Sequence, residues 1–394
     1  MNQINKLITI LFFIGLGLNL IFVYFEQGRL YNDVTYGDLS LGSEKYLRSL
    51  SVFFLCLSVI LNWFMAKDKY LPKIIISYFL ILGFITINYI VTGPGITDMT
   101  GLMDSKGIGP WLGFGLIFMS YDDERYELFK KFLIASVIVI SLYVLYSLIT
   151  KGVGLYRGQS LASYRIYATN LVWTTPFVFL ITKNDNKYKV IRVFAIFMGV
   201  FSALICVTRS FLLIYLLVLI FDFIHTEKKT TYLIGFAVLC IFFVYMLFNT
   251  DSFSSSYDLL LKRGLEDSRT NQLKGFLNQL NFFDLIVGQG FDPSYVSNGQ
   301  QSNMIDNQWL KLIWWAGLVP ALMYFYLTVF IPFKLFFTKN QDYETKVEAF
   351  VLIIWTLACA GMAIHSTMSV VFYFFIICII QGRLLFKYSQ RYEY

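Results

Sequence analysis

Residues 190–224 read VIRVFAIFMGVFSALICVTRSFLLIYLLVLIFDFI. The run is far longer than the roughly 20 apolar residues that cross a bilayer core. Thr208, Arg209 and Ser210 interrupt it near its middle. An ionised side chain at the centre of a single span is costly, so two shorter spans meeting near Arg209 are expected. Working outward, comparable apolar runs occupy 6–25, 49–66, 74–92, 132–150, 166–182, 232–248, 307–332, 347–364 and 368–386, and a shorter glycine-rich one occupies 108–120. The fold class expected is therefore all-α: a polytopic integral membrane protein with about twelve transmembrane helices.

Composition points the same way. Hydrophobic residues make up 57% of the 394 and charged residues 14%, with a mean hydropathy of +0.62. A soluble domain carries about a quarter charged residues to cover its surface. The net charge of +7 is spread singly and in pairs at the ends of apolar runs, which excludes a nucleic-acid face and reads as a set of topology signals. All five cysteines fall inside apolar runs without C-x-x-C spacing, so they behave as small hydrophobes. The first run follows Lys6 and lacks a small-residue cleavage site, so it is expected to be a span and not a removed signal peptide.

An even span count puts both termini on one side. Assigning that side to the cytoplasm places the majority of the 32 Lys and Arg residues inside, as the positive-inside rule requires. The external segments are then 26–48, 93–107, 151–165, 249–306 and a turn at 365–367. No Pro/Ser-rich linker or fixed-period repeat appears, so 1–394 is expected to form one membrane domain. Within it, 249–306 is a long external loop. Leu259, Leu260, Leu273, Phe276, Leu277 and Leu280 recur at helical spacing there, which predicts short amphipathic helices on the membrane surface. The segment 151–165, KGVGLYRGQSLASYR, is a second external loop of functional interest and includes Tyr164.

Five arginines defy the orientation rule: Arg157, Arg165, Arg209, Arg263 and Arg269 are all external. Guanidinium groups grip phosphate oxygens with paired donors and keep their charge, so such a cluster suits a lipid diphosphate. The plainer reading is that Arg157, Arg165 and Arg263 snorkel to headgroups. Asp306 precedes the apolar run from Trp309, with Asn307 beside it. There it either accepts a proton from a sugar hydroxyl or caps a helix. Asp284, Glu266 and Asp267 read as solvated loop charges, and Asp122-Asp123 as a structural cytoplasmic pair. His365 lies at the outer end of a span, where it either faces the same cavity as Asp306 or caps a helix. His225, at an inner end, reads as structural. No metal-ligand spacing, P-loop or nucleophile elbow is present, so neither metal nor cofactor is expected.

These features together resemble the Wzy-type O-antigen polymerases and the related O-antigen ligases. The resemblance rests on an ordered set of motifs between about 208 and 320. Thr208-Arg209-Ser210 lies between two spans, and Arg269 comes early in the long loop. Then follow the hydrophobic G-x-G stretch Leu285-Ile286-Val287-Gly288-Gln289-Gly290-Phe291, the run Asp306-Asn307-Gln308-Trp309-Leu310, and Gly317-Leu318. The ligases typically carry a His in the long loop. Residues 249–306 contain none, which favours a polymerase.

The resemblance implies a GT-C-like fold in the bacterial inner membrane and glycosyl transfer at its periplasmic face. The implied partners are oligosaccharide and polysaccharide on undecaprenyl diphosphate, membrane lipid, and a chain-length regulator protein. It implies diphosphate binding by Arg157, Arg165, Arg209, Arg263 and Arg269. Catalytic roles go to Arg269, Asp306 and His365, and substrate contacts to Tyr164 and Asn307. The alternatives are a ligase, and a flippase or transporter for the same lipid. The long external loop and the missing internal repeat argue against a transporter.

Overall fold

In a computed structural model the described residues are 3–32, 44–93, 108–151, 162–205, 209–227, 229–230, 235, 237, 241, 245, 268–290, 294–297, 300–302, 305, 307–359 and 372–392. Helices dominate them. In chain order these are α1 (Gln3–Asn32), α2 (Glu44–Ala66), α3 (Pro72–Thr92), α4 (Gly109–Phe114), α5 (Asp123–Lys151), α6 (Ala162–Ile181), α7 (Lys189–Ile205) and α8 (Arg209–Ile224). After them come α9 (Ser268–Leu277), α10 (Phe282–Val287), the strands β1 (Tyr295–Ser297) and β2 (Gln300–Ser302), α11 (Gln308–Ala316), α12 (Leu318–Phe325), α13 (Ile331–Phe337), α14 (Tyr343–Cys359) and α15 (Phe372–Tyr392). The expected span at 232–248 falls largely outside the described residues.

Among the described residues six helices are long and apolar enough to cross a membrane: Gln3–Ile21, Ser49–Lys69, Pro72–Thr92, Asp123–Tyr146, Leu318–Phe337 and Phe372–Tyr392. The exposed residues make the case beyond length. The outward positions of α3 are Ile76, Phe79, Leu80, Ile87, Ile90 and Val91, where a helix facing water would be polar. The run 190–224 forms two helices, α7 and α8, and Arg209 is the first residue of α8.

Contacts divide the chain into two units: Met1–Phe22 with Leu41–Leu128 and Ser268–Tyr394, and Val23–Ser40 with Phe129–Asp267. At the heart of the first lies α15, nearly nine-tenths buried. Against it packs the segment 108–120, which was expected to span. It is instead the six-residue α4 followed by a 3-10 helix, Gly115–Met119. Its length of about 19 Å falls well short of the ~30 Å hydrocarbon core. Carbonyls at such an interior helix end need donors. Four successive ones find them on three helices and on the turn before α3. The Tyr70 hydroxyl donates to the Ile117 carbonyl at 3.0 Å, Asn62 Nδ2 to Phe118 at 2.7 Å, Arg125 Nη1 to Met119 at 3.0 Å and Arg383 Nη1 to Ser120 at 3.2 Å.

A second departure concerns 307–332, expected as one span. Gly317 (φ 87°, ψ −178°) separates α11 from α12. Trp309, eight residues before the break, packs its ring 5.8 Å from that of Phe325, eight after it, and 5.4 Å from Tyr324. The two helices therefore run antiparallel as a hairpin bent at Gly317, and the span proper is Leu318–Phe337. A π-helical turn, Tyr326–Phe330, interrupts this span. Its spare carbonyls are also met from outside: Gln381 donates to Leu327, and Thr356 Oγ1 to Thr328 at 3.0 Å. At the start of α14, burial pushes the Asp342 carboxyl up, but donation by the Thr345 hydroxyl and amide outweighs it. The group titrates below its usual range.

The second unit is held by α6, α7 and α8. Pro176 lies inside α6 and has no N–H to offer the Val172 carbonyl one turn back. The Tyr215 hydroxyl of α8 supplies the missing donor at 3.3 Å. At the other end of α8, Asp222 is fully buried between Lys183 Nζ (2.9 Å) and Arg192 Nη2 (2.6 Å). Truncating one partner of such a cluster leaves buried charge unpaired. Asp222→Ala is therefore expected to destabilise the purified protein by about 3 kcal/mol. Thermal unfolding in detergent checks this, and a melting temperature equal to wild type would show that the pair is dispensable.

Candidate functional site

The long loop and the α11–α12 hairpin meet around three glycines. Helix α11 ends with carbonyls that have no intrahelical partner. The loop supplies donors: the Gln289 amide to the Trp314 carbonyl at 2.6 Å, and the Gly290 amide to Trp315 at 3.0 Å. A side chain of α3 adds a third, Asn88 Nδ2, at 2.9 Å from the Trp315 carbonyl and 3.4 Å from that of Val287. Gly288 (φ 80°, ψ 168°) and Gly317 occupy backbone conformations open essentially only to glycine. Their contact is reciprocal. A Cβ on Gly288 would strike the Trp315 carbonyl, and one on Gly317 would strike the Ile286 carbonyl.

Side chains extend this junction. Gln289 accepts from Trp314 Nε1 at 2.7 Å and donates to Asp284 Oδ2 at 2.7 Å. Trp314 packs edge-on against Phe276 of α9 and Tyr295 of β1, with ring centroids 5.3 and 5.5 Å apart. Gln279 joins α9 to the hairpin, donating to the Val296 carbonyl at 2.7 Å and accepting from its amide at 2.9 Å. The strands β1 and β2 pair antiparallel, with Ser297 opposite Gln300.

The residues singled out from sequence distribute as follows. Asn307 is the N-cap of α11: its Oδ1 accepts from the amides of Trp309 at 3.0 Å and Leu310 at 3.1 Å. The capping role weighed for Asp306 thus belongs to its neighbour. Since α11 runs back alongside α12, Asn307 sits about 13 Å from the Gly317 bend, measured along the helix. Arg269 is the second residue of α9. Tyr164 and Arg165 lie in the first turn of α6, and Arg209 opens α8. Arg269 and Asn307 belong to the first unit, and Tyr164, Arg165 and Arg209 to the second. Asp306, His365, Arg157 and Arg263 lie outside the described residues.

Besides Asp222, three charged residues not singled out for chemistry are buried among the described residues. Lys311 lies on α11 with its ammonium 4.8 Å from the Trp315 ring centroid. A lysine inside an apolar run is itself a functional signal. Arg125 and Glu348 lie at the opposite end of the first unit. Glu348 accepts from Tyr126 (2.9 Å) and pairs with Lys387 (2.9 Å). Among the described residues, no group of three or more His, Cys, Asp or Glu could hold a metal ion.

The class these observations define is an all-α, membrane-embedded protein in which residues 284–290 are clamped to the end of a helical hairpin. No protein-family model matches the chain, and no curated protein matches it significantly.

Proposed function

We propose that the protein is an O-antigen polymerase of the Wzy type, a GT-C-like enzyme with about twelve spans in the bacterial inner membrane. Both termini face the cytoplasm and the site faces the periplasm. The observation that carries the reading is the junction at the glycines. The motif elements that give the family resemblance are far apart in sequence, yet the G-x-G stretch is bonded to the helix that begins at Asn307 and ends at Gly317. The helix headed by Arg269 packs, through Phe276, on that same helix.

In the proposed reaction the acceptor sugar's hydroxyl oxygen attacks the anomeric carbon of the donor polysaccharide. The bond from that carbon to the undecaprenyl diphosphate breaks, and the diphosphate leaves with the electron pair. The hydroxyl proton passes to Asp306 or His365. Arg269 and Arg209, with Arg157, Arg165 and Arg263, stabilise the charge developing on the diphosphate. Tyr164 and Asn307 contact the sugars. A chain-length regulator protein is the proposed partner.

Two strains test this. Deleting the gene is expected to leave lipopolysaccharide capped with a single repeat unit, whereas loss of a ligase leaves none. In the deletion strain, Arg269→Ala and Arg209→Ala are each expected to reach the membrane at wild-type levels and still yield only single-repeat caps. Full-length chains from both variants would remove those arginines from the mechanism.

A further inference from the structure

Helix α10 presents an apolar face to the outside. Phe282 is 77% exposed, Phe283 69%, and Ile286 and Val287 lie beside them. The polar group of this helix is turned away: Asp284 is tied to Gln289, and Asn281 caps the first turn by accepting the Asp284 amide at 2.8 Å. In water, such a patch on a six-residue helix would be a liability.

The depth of the helix explains it. Asn88 of α3 holds the Val287 carbonyl, and a Cβ on Gly290 would strike Thr92, the last residue of α3. Asn88 is four residues from that end, about 6 Å along the helix axis. With its 21 residues, α3 matches the bilayer core. The C-terminal end of α10 is thereby pinned at the hydrocarbon boundary, where interfacial helices bury an apolar face by about 5–10 Å. Its exposed residues also continue surfaces that already face lipid: Ile87, Ile90 and Val91 on α3, and Leu318 and Leu322 on α12, against which α10 packs.

We infer that α10 is a membrane anchor of the long loop, with Phe282, Phe283 and Ile286 inserted among the phospholipids at the Thr92 end of α3. The occupant of this face is bulk bilayer lipid. The anchor fixes the height of the G-x-G junction relative to the membrane. This inference does not depend on the reaction the protein catalyses.

Photocrosslinking tests it on the full-length protein in vesicles of phosphatidylethanolamine and phosphatidylglycerol. A benzophenone amino acid replaces Phe283 in one variant and Ile90, on the lipid-facing side of α3, in a second. After denaturation, trypsin releases residues 275–311 as one peptide, so a lipid adduct at 283 is read directly by its mass. The expected yield of phospholipid adduct at 283 is within about threefold of that at Ile90, as for a group at acyl-chain depth. A yield tenfold lower, or an adduct at 283 made mainly to a second copy of the chain, would overturn the inference.

Discussion

Arg125→Met is expected to destabilise the first unit by about 3–5 kcal/mol, because it strips the donor from several buried neutral acceptors at once. The guanidinium is buried, and each of its nitrogens is used. Nε donates to Thr9 Oγ1 at 3.1 Å, Nη1 to Asn62 Oδ1 and to the Met119 carbonyl at 3.0 Å each, and Nη2 to Asn5 Oδ1. The methionine fills much of the volume and donates nothing. Four acceptors from α1, α2 and the 3-10 segment are then left dry, at about 1–3 kcal/mol for each one that relaxation does not rescue. Unfolding of the purified protein in detergent should shift down by roughly 10 °C. Arg125→Lys keeps the charge but offers a compact ammonium in place of a planar fork, and should recover only part of the loss. A melting temperature for the methionine variant within a degree or two of wild type would reduce Arg125 to a topology signal.

Gly317→Ala is expected to open the glycine junction while leaving the spans inserted. An alanine there must hold a glycine-only conformation, at about 1–3 kcal/mol, and its Cβ meets the Ile286 carbonyl as well. Backbone occupies both sides of the contact, so no side chain can move aside. The strain is relieved by separating 286–290 from 315–317, which releases the Gln289 and Gly290 amides from the end of α11. Trypsin reads the result. Lys274 is exposed and should be cut in wild type and variant alike, whereas Lys311 is buried and should be cut only in the variant. On the proposed polymerase reading, polymer length in the complemented deletion strain should fall with it. If Lys311 stays protected and chains remain long, the junction tolerates a Cβ.

Membrane embedding and helical class are legible in the sequence because lipid imposes one composition on everything it touches. The division of 190–224 is legible for the same reason, since Arg209 is a charge in an apolar run. The hairpin at Gly317 is not, because hydropathy is blind to backbone direction. Residues 307–332 read as one apolar run across a bend that only Gly317's dihedrals reveal. Arg125, Arg192, Arg383 and Lys387 count as positive-inside residues in sequence, but all four are bonded within the fold. A count of charges by side carries no information about partners. At the candidate site the order of the glycines is legible, and what they touch is not. Gln289, which links Trp314 to Asp284, has no pattern to mark it, and Asn88 reads as one polar residue in a span.

Helix α15 also bears on how the protein is made. It is the least apolar of the six candidate spans, and it carries Gln381, Arg383, Lys387 and Ser389. Presented alone to lipid, it would be a reluctant insert. Each of those side chains has a partner that precedes the helix in the chain: Leu327 for Gln381, Ser120 and Asp123 for Arg383, Glu348 for Lys387, and the Leu71 amide for Ser389. As the ribosome releases it, the receiving groups have already been synthesised. The order of translation thus supplies the polar environment that the bilayer withholds, and damage to any receiving group acts first on whether α15 enters the membrane at all.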